Sequence, residues 1–254
     1  MGYSPNDLEV NAAMKFSFFP FKETADGVDV SARFHTSLKK PDYFSNFYYS
    51  NHYIWENDFS KVSKMKIEGE LTVRKWMLSA FFGYGVTGNH IYYDDTGYIR
   101  QHSAPVNVLT AGLTKNFVLW KFHFDNQFLC QFSSDEDVIP LPLFTAHCRW
   151  YIQFPIVSPQ VMKMQIGVDA IYNTKYYIPM WNPAVGQFQT QHYEKMGGTP
   201  YLDVFVNVQW KKVTLFVKCT NVAQGWPDGD YFSAYPYIRP TRNIKLGIFW
   251  PFYF

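Results

Sequence analysis

The chain has 254 residues, a formal net charge of +2 and an aromatic content of 20%. A chain of this length is typical of one domain, and the small net charge gives no indication of a nucleic-acid partner. No run of about 18 uncharged apolar residues occurs, which excludes a transmembrane helix but leaves membrane-spanning strands open.

The first ten residues lack the basic segment and apolar run of a secretory signal, which predicts a mature or truncated chain, or a cytosolic protein. Beyond them, alternating polarity predicts β-strands, because successive side chains of a strand point to opposite faces. The predicted strands are 9–19, 27–38, 43–55, 63–74, 76–88, 105–114, 118–133, 142–155, 160–175, 200–210, 211–220 and 242–254. We therefore predict an all-β, antiparallel fold of about twelve strands in a single domain, 1–254.

Each predicted strand has one apolar face and one polar face. The segment 63–74 places Met65 and Ile67 on one side and Lys66 and Glu68 on the other. Such charges suit the water-filled interior of a barrel, but they also suit the solvent-facing side of a soluble β-sandwich. The face pattern by itself leaves both folds open.

The last predicted strand, 242–254, ends on a C-terminal aromatic residue. Its apolar face carries Trp250, Phe252 and Phe254. Rings clustered at the end of a strand fit an aromatic girdle where a membrane meets water. A C-terminal Phe on such a strand also resembles the outer-membrane targeting pattern of bacterial barrels. We interpret these three residues as a girdle and as a C-terminal signal for the barrel-assembly machinery.

Connections between the predicted strands alternate in length. The short ones are 39–42, 75, 115–117, 156–159 and the junction 210–211, and the long ones are 56–62, 88–104, 134–141, 176–199 and 221–241. Outer-membrane barrels have short periplasmic turns and longer outer loops, whereas a sandwich gives no reason for this segregation. The predicted strands also exceed the usual soluble length of about 5–6 residues. These features favour a transmembrane β-barrel.

Several separated motifs resemble the outer-membrane porin family of the Bacteroides group. They are SNHYIWENDF at 50–59, VIPLP at 138–142, GVD at 167–169, TKYY at 174–177, YLDVFVN at 201–207, DYFS at 230–233, and LGI at 246–248 with the aromatic tail. The resemblance covers most of the chain and looks like the C-terminal barrel portion of that family. It implies a Gram-negative outer-membrane location, and a signal peptide and N-terminal barrel sequence missing here, so that the strands would form part of a larger barrel.

If the apolar faces contact lipid, the opposite faces line a pore. The inward cations would be Lys15, Arg33, Lys64, Lys66, Arg74, Lys121, Arg149, Lys163, Lys175, Lys218 and Lys245, and the inward anions Asp29, Glu68, Glu70, Asp125, Asp169 and Asp203. Basic side chains in a pore favour anions, so we predict passive diffusion of small hydrophilic solutes and ions with a weak anion preference. The alternative is that these charges pair across strands and satisfy one another.

Other functions stay open for the same barrel. A lumen blocked by loops or inward rings would make it an anchor, an adhesin or a subunit of a larger outer-membrane assembly. Aromatic residues of the 176–199 and 221–241 loops would stack on sugars, constrict the channel or pack among themselves. His35 and Ser37 have the His-x-Ser spacing of outer-membrane phospholipases, but no orienting partner is evident, and we predict no enzyme.

The three cysteines, Cys130, Cys148 and Cys219, lack the paired spacing of a metal site. We expect them on the apolar faces, with a Cys130–Cys148 disulfide as the alternative because their predicted strands are adjacent. No Gly-rich phosphate loop follows a strand. The sequence predicts no metal and no cofactor. The expected partners are outer-membrane lipid, the barrel-assembly machinery and small solutes, without nucleic acid, and an oligomer stays open.

Overall fold

The computed structural model describes residues 7–20, 26–157, 161–226 and 232–251. Its strands are β1 (Leu8–Phe18), β2 (Val28–Lys39), β3 (Phe47–Tyr49), β4 (Ile54–Glu56), β5 (Val62–Val73), β6 (Leu78–Gly88), β7 (Ile91–Tyr93), β8 (Ile99–Gln101), β9 (Val106–Leu119), β10 (Phe122–Ser133), β11 (Phe144–Pro155), β12 (Met162–Asn173), β13 (Met180–Asn182), β14 (Gln187–Gln189), β15 (Tyr201–Trp210), β16 (Val213–Thr220), β17 (Phe232–Ala234), β18 (Tyr237–Ile238) and β19 (Asn243–Phe249). The fold is all-β and antiparallel, as predicted.

Eleven of these strands form one large sheet. Its order is β1-β2-β5-β6-β9-β10-β11-β12-β15-β16-β19, so each strand pairs with its neighbour in the chain once the short hairpins are set aside. The hairpins β3–β4, β7–β8, β13–β14 and β17–β18 lie in the long connections. Within the described ranges β1 and β19 are the two edges of the sheet and are not hydrogen-bonded to each other, so the sheet is open there. None of the described helices is long and apolar enough to cross a membrane.

The predicted strand at 43–55 is wrong. This segment forms the short helix α1 (Tyr43–Asn46) and the β3–β4 hairpin, whose turn is closed by hydrogen bonds to the hydroxyl of Ser50. Its alternating rings pack within the hairpin, where Tyr48 stacks on Trp55 with 4.5 Å between ring centroids. The alternation therefore reflects local packing, and the sheet contains eleven strands instead of twelve.

Two of the predicted short turns are wrong in position, because the observed strands begin and end at other residues. The 39–42 segment is the start of a long connection, 40–61, and is no short turn. The turn expected at 115–117 lies at 120–121, because β9 continues to Leu119 and Trp120 adopts a positive φ of 56°. Pairing of Phe117 with Phe124 across the hairpin extends both strands beyond the predicted break.

Short and long connections lie at opposite ends of the sheet. At one end, the short-turn end, are 74–77, 120–121, 211–212 and the described parts of 19–27 and 156–161; at the other, the long-loop end, are 40–61, 89–105, 134–143, 174–200 and the described part of 221–242. The last strand, β19, runs toward the short-turn end. Apart from 39–42, the predicted segregation is confirmed.

The register gives the sheet an apolar face and a polar face. On the apolar face Phe34 lies opposite Ile67, and Val168 lies opposite Val204. This face is open to the surroundings, and Leu246 is 74% exposed. Water-soluble monomers rarely expose apolar patches larger than a few hundred Å², so an apolar face running across eleven strands needs an apolar environment.

Tryptophans mark the short-turn end. The side chains of Trp76, Trp120, Trp210 and Trp250 are each more than half exposed. All four lie in the short turns or at strand ends beside them. Amphipathic rings in this position are typical of a membrane–water interface. The role of Trp250 in a girdle stays a prediction, and Phe252 and Phe254 lie outside the described residues.

Most of the buried core lies in the long connections, because a single sheet offers no second layer to bury its own side chains. We call the described parts of 40–61, 89–105, 134–143, 174–200 and 221–242 the loop cap. Ile178, Met196 and Ala234 form a buried cluster in it, and Trp55 is only 7% exposed.

Hydrogen bonds join the loops of the cap to one another. The Asn182 amide donates to the hydroxyl of Tyr53 at 3.0 Å, and the Gln189 amide donates to the carbonyl of Asp95 at 2.9 Å. Gln191 is fully buried, and its amide donates to the Ile178 carbonyl at 3.0 Å. Since buried polar groups are satisfied, the cap is a folded unit and not a set of independent loops.

We predict that acid loosens the β7–β8 hairpin. The Asp94 carboxylate accepts hydrogen bonds from the backbone N–H of Tyr98 at 3.0 Å and from Nε of Arg100 at 2.8 Å. Burial by itself raises the pKa of Asp94, but hydrogen bonds from Thr96, Arg100 and Tyr98 outweigh it, and the pKa lies below its ordinary value. Such a carboxylate stabilises the fold above the unfolded pKa of about 3.9, and the contribution is lost as pH falls through the folded value.

Hydrogen exchange of the Tyr98 amide tests this prediction. After correction for intrinsic rates, protection should fall as the pH drops from roughly 5 to 3. Asp94→Asn should show little change in protection over the same range, because the asparagine side chain does not titrate. Equal pH dependence in both proteins would contradict a role for the Asp94 carboxylate.

Candidate functional site on the polar face of the sheet

The polar face carries most of the residues predicted to line a pore. The register places on it Lys15, Asp29, Arg33, Lys64, Lys66, Glu68, Glu70, Asp125, Arg149, Lys163, Asp169, Asp203, Lys218 and Lys245. Three others lie outside the strands: Arg74 follows β5, Lys121 is in the β9–β10 turn, and Lys175 follows β12. The role of these residues in lining a pore stays a prediction.

One group of charges pairs across β1, β2 and β5. Asp29 accepts from Arg74 at 2.8 Å and lies 3.6 Å from the ammonium of Lys15. Arg33 bonds Glu70 at 2.8 Å on the neighbouring strand. Lys66 pairs with Glu68 at 2.7 Å, two residues along the same face of β5. Cross-strand pairing of opposite charges was the alternative left open by the sequence, and the structure supports it for this group.

A second group centres on two buried carboxylates. Asp169 and Asp203 lie directly opposite each other on β12 and β15 and are 8% and 7% exposed. Like charges in this position repel. Lys218 compensates by approaching Asp203 to 2.7 Å and Asp169 to 3.8 Å. Arg149 also bonds Asp169 at 2.9 Å, so both carboxylates are matched by cations.

Some lysines of the polar face lack such partners. In the part of the chain that the structure describes, Lys64, Lys163 and Lys245 have no carboxylate oxygen within 4.0 Å of their ammonium groups. On the same criterion Asp125 has no cationic partner there. The uncompensated charge of the polar face is therefore positive.

Aromatic residues lie against glycines on this face. Tyr151 and Phe205 flank Gly167 on the two adjacent strands, and a Cβ built there would be 2.5 Å from the Tyr151 Cβ and 2.9 Å from the Phe205 ring. Phe81 likewise lies over Gly112. A side chain at either glycine would occupy the space that the ring fills.

Tyr151 and Phe205 border a cavity that the sequence did not predict. The cavity measures about 280 Å³, and its lining includes Tyr151, Gln165, Phe205 and Asn207. The residues come from different strands and meet only because of the register. Alternating polarity places each of them on the polar face, but no local signal shows that they are neighbours.

The loop cap overlies the polar face at the long-loop end. Ser45 and Ile91 of the cap line a cavity of about 370 Å³ together with Ser37 and Lys64 of the sheet. Nearby, burial lowers the pKa of His90, and Lys64 and His102 add to this effect. The loop rings mostly contact one another, as in the pair Trp181–Phe188 at 5.0 Å, which supports the packing alternative for these loops.

The His-x-Ser pair has an orienting residue but no completed relay. The Nδ1 atom of His35 lies 2.6 Å from Oδ1 of Asn11, a partner that the sequence did not reveal. Within the described ranges, however, no hydrogen bond joins Ser37 to His35. Activation of a serine requires that contact. The arrangement therefore does not form a catalytic pair as it stands.

The cysteines lie on the apolar face, as expected, and all three are free. Cys130 is opposite Phe144, whereas Cys148 is opposite Asn126, so the two thiols lie at different levels of the β10–β11 pair. The disulfide alternative is therefore not realised. Among the residues that the structure describes, no group of three His, Cys, Asp or Glu side chains is placed to hold a metal ion.

Comparison with known proteins agrees with the sheet and its two faces. A family model described as "Putative porin" matches residues 1–253, almost the whole chain. No curated protein matches the sequence. The family match agrees with the resemblance drawn from the separated motifs, although it specifies no bacterial group. The chain therefore belongs to this porin family.

Proposed function

We propose that the chain forms the wall of an outer-membrane channel for passive diffusion of small hydrophilic solutes and ions, with a weak anion preference. The observation that carries this proposal is the sheet itself, which has an exposed apolar face for lipid and a charged face for water. Short turns at one end, long loops at the other and exposed tryptophans beside the turns support it.

The strand directions bear on how such a wall would close into a barrel. With eleven antiparallel strands, β1 and β19 both run toward the short-turn end. Their unpaired backbone groups are unfavourable in lipid, so both edges need partners. A wholly antiparallel closure needs an odd number of further strands between them. This supports the proposal that the sheet is part of a larger barrel.

The anion preference rests on uncompensated lysines. Arg33, Lys66 and Lys218 are largely neutralised by neighbouring carboxylates. Lys64 and Lys163 are not, and they lie at opposite ends of the sheet, so a permeating ion would pass both. Few uncompensated charges imply a weak preference, because paired charges contribute little field along a pore.

Planar-bilayer conductance of the refolded chain under a salt gradient tests the proposal. We expect discrete conductance steps and a reversal potential on the anion side. The triple variant Lys64→Glu, Lys163→Glu, Lys245→Glu should move the reversal potential to the cation side, because it reverses the charges that lack partners. Glu68→Gln should increase anion preference, because it frees Lys66.

Lys212→Glu provides a control. Lys212 lies in the exposed turn between β15 and β16, beyond the ends of both strands, and so this change should leave the selectivity nearly unaltered. A wild-type reversal potential on the cation side would overturn the anion preference, even if conductance is seen. A complete, correctly folded barrel that never conducts, even after its cap loops are trimmed, would overturn the channel.

One observation favours a second candidate, a closed barrel that serves as an anchor, an adhesin or part of a larger assembly. The loop cap is folded and two of its loops lie over the polar face. If the cap closes the channel, the full chain should be silent in bilayers, while trimming of exposed cap loops by protease should produce conductance.

A further inference from the structure

The cavity beside Gly167 has the dimensions of a small ligand site. Its volume of about 280 Å³ lies just below the roughly 300–1,000 Å³ typical of pockets for drug-sized ligands. It lies on the polar face, and its lining comes from five consecutive strands, β10, β11, β12, β15 and β16. In the proposed channel a passing solute would meet this surface directly.

Rings give the cavity an apolar floor. Tyr151 and Phe205 have centroids 6.4 Å apart and lie on either side of Gly167. Phe216 completes the group and lies over Gly247 on β19. Phe205 is only 8% exposed, whereas Phe216 is 36% exposed, so Phe216 presents the accessible ring surface on a wall that is otherwise hydrophilic.

Side-chain amides border the rings. The Asn207 amide donates to Gln165 at 3.1 Å, and the Gln165 amide donates to Gln153 at 2.8 Å. Gln165 and Asn207 also line an adjacent cavity of about 110 Å³, together with Gln153, Lys163 and Gln209. Each amide has more donors and acceptors than these bonds use. Gln165 and Asn207 line both cavities, and their uncharged amides can therefore bond a ligand in either one.

The charges of the main cavity balance. Its lining contains two cations, Arg149 and Lys218, and two carboxylates, Asp125 and Asp169. Arg149 and Lys218 already pair with buried carboxylates. An anionic ligand would therefore gain little net attraction here, whereas a neutral ligand with many hydroxyl groups could use the remaining hydrogen-bonding positions without a charge of its own.

We propose that this cavity is a binding subsite for a neutral, polyhydroxylated solute of the size of one sugar ring, whose apolar face stacks on Phe216 while its hydroxyls bond Gln165 and Asn207. The adjacent cavity extends the subsite toward the short-turn end. The proposal rests on the proposed channel for its biological role, but binding itself does not require conduction.

Saturation-transfer NMR with maltotriose tests the subsite on the refolded full chain, in a zwitterionic detergent that has no sugar headgroup. We expect saturation transfer to maltotriose and weaker transfer to gluconate, which is charged. Phe216→Ala should weaken maltotriose binding roughly tenfold or more, judged by titration. Phe216→Tyr should retain binding, because it keeps the ring.

Phe81→Ala is the matched control, since Phe81 also lies over a glycine of the polar face but does not line the cavity. It should bind maltotriose like the wild-type chain. Gln127→Ala, a polar-face amide outside the cavity, serves the same purpose for Asn207→Ala. A heat-modifiable band on a gel verifies that each variant is folded.

Conductance measured in parallel separates the two proposals. A conducting wild-type chain that shows no transfer to maltotriose overturns the subsite and leaves the channel. A silent chain that binds maltotriose through Phe216 supports the subsite, since binding does not depend on a complete channel. Equal loss of binding in Phe216→Ala and Phe81→Ala, or preference for gluconate, would also overturn the subsite.

Discussion

Replacing Gly167 with valine is expected to destabilise the sheet severely. A Cβ at this position would lie 2.5 Å from the carbonyl oxygen of Trp150 and 2.5 Å from the Cβ of Tyr151. Both atoms are fixed by the β11–β12 pairing and cannot rotate away, unlike the tip of a flexible side chain. Overpacking of this kind costs about 1–3 kcal/mol, occasionally more, and valine adds two further carbons.

Gly69→Val is the matched control. Gly69 lies on the apolar face of β5, has no heavy atom within 4 Å of its built Cβ, and needs no unusual backbone conformation. Urea titration of the folded, heat-modifiable form should show a much lower midpoint for Gly167→Val than for Gly69→Val. Equal midpoints would show that β11 and β12 separate readily, which contradicts the close approach of the two strands.

Trp55→Ala is expected to unfold much of the loop cap. Trp55 is buried, stacks on Tyr48 and donates from Nε1 to the carbonyl of Phe44 at 3.0 Å. Edge contacts to Tyr93 and Tyr98 connect it to the β7–β8 hairpin. Truncating a buried tryptophan costs about 3–5 kcal/mol, and the carbonyl would lose its donor.

Limited proteolysis is the measurement for Trp55→Ala, since the cap can open while the sheet stays paired. Cleavage within 40–61 and 89–105 should become much faster, with little change in the urea midpoint of the sheet. Trp120→Ala is the control, because this ring is 75% exposed in a short turn. Comparable cleavage rates for the two variants would contradict a central role for Trp55.

The alternation of polarity was a sound guide wherever a segment paired over its full length. In 63–74 it placed Lys66 and Glu68 on the face opposite Ile67, and the register agrees. It failed in 43–55, where rings also alternate but pack within a hairpin. Alternating polarity indicates an extended segment with one apolar and one polar side. It does not indicate how many residues that extended segment contains.

Only part of the candidate site could be predicted from the sequence. The charged residues of the polar face were found one strand at a time, because each side chain's direction is set by its own strand. The neutralisation of Asp203 by Lys218 and the position of Phe205 over Gly167 were not found. Such contacts depend on which residues face each other across a pair, and a shift of one residue would replace all of them.

By itself the sequence determined the class of structure: strands with one apolar and one polar face, and short turns segregated from long loops. These are local properties, set by side-chain order along a pleated strand. Tertiary structure alone decided the eleven-strand count, the ion pairs, the ring-lined cavity and the loop cap. Each of these arises from contacts between segments far apart in the chain, which local alternation does not encode.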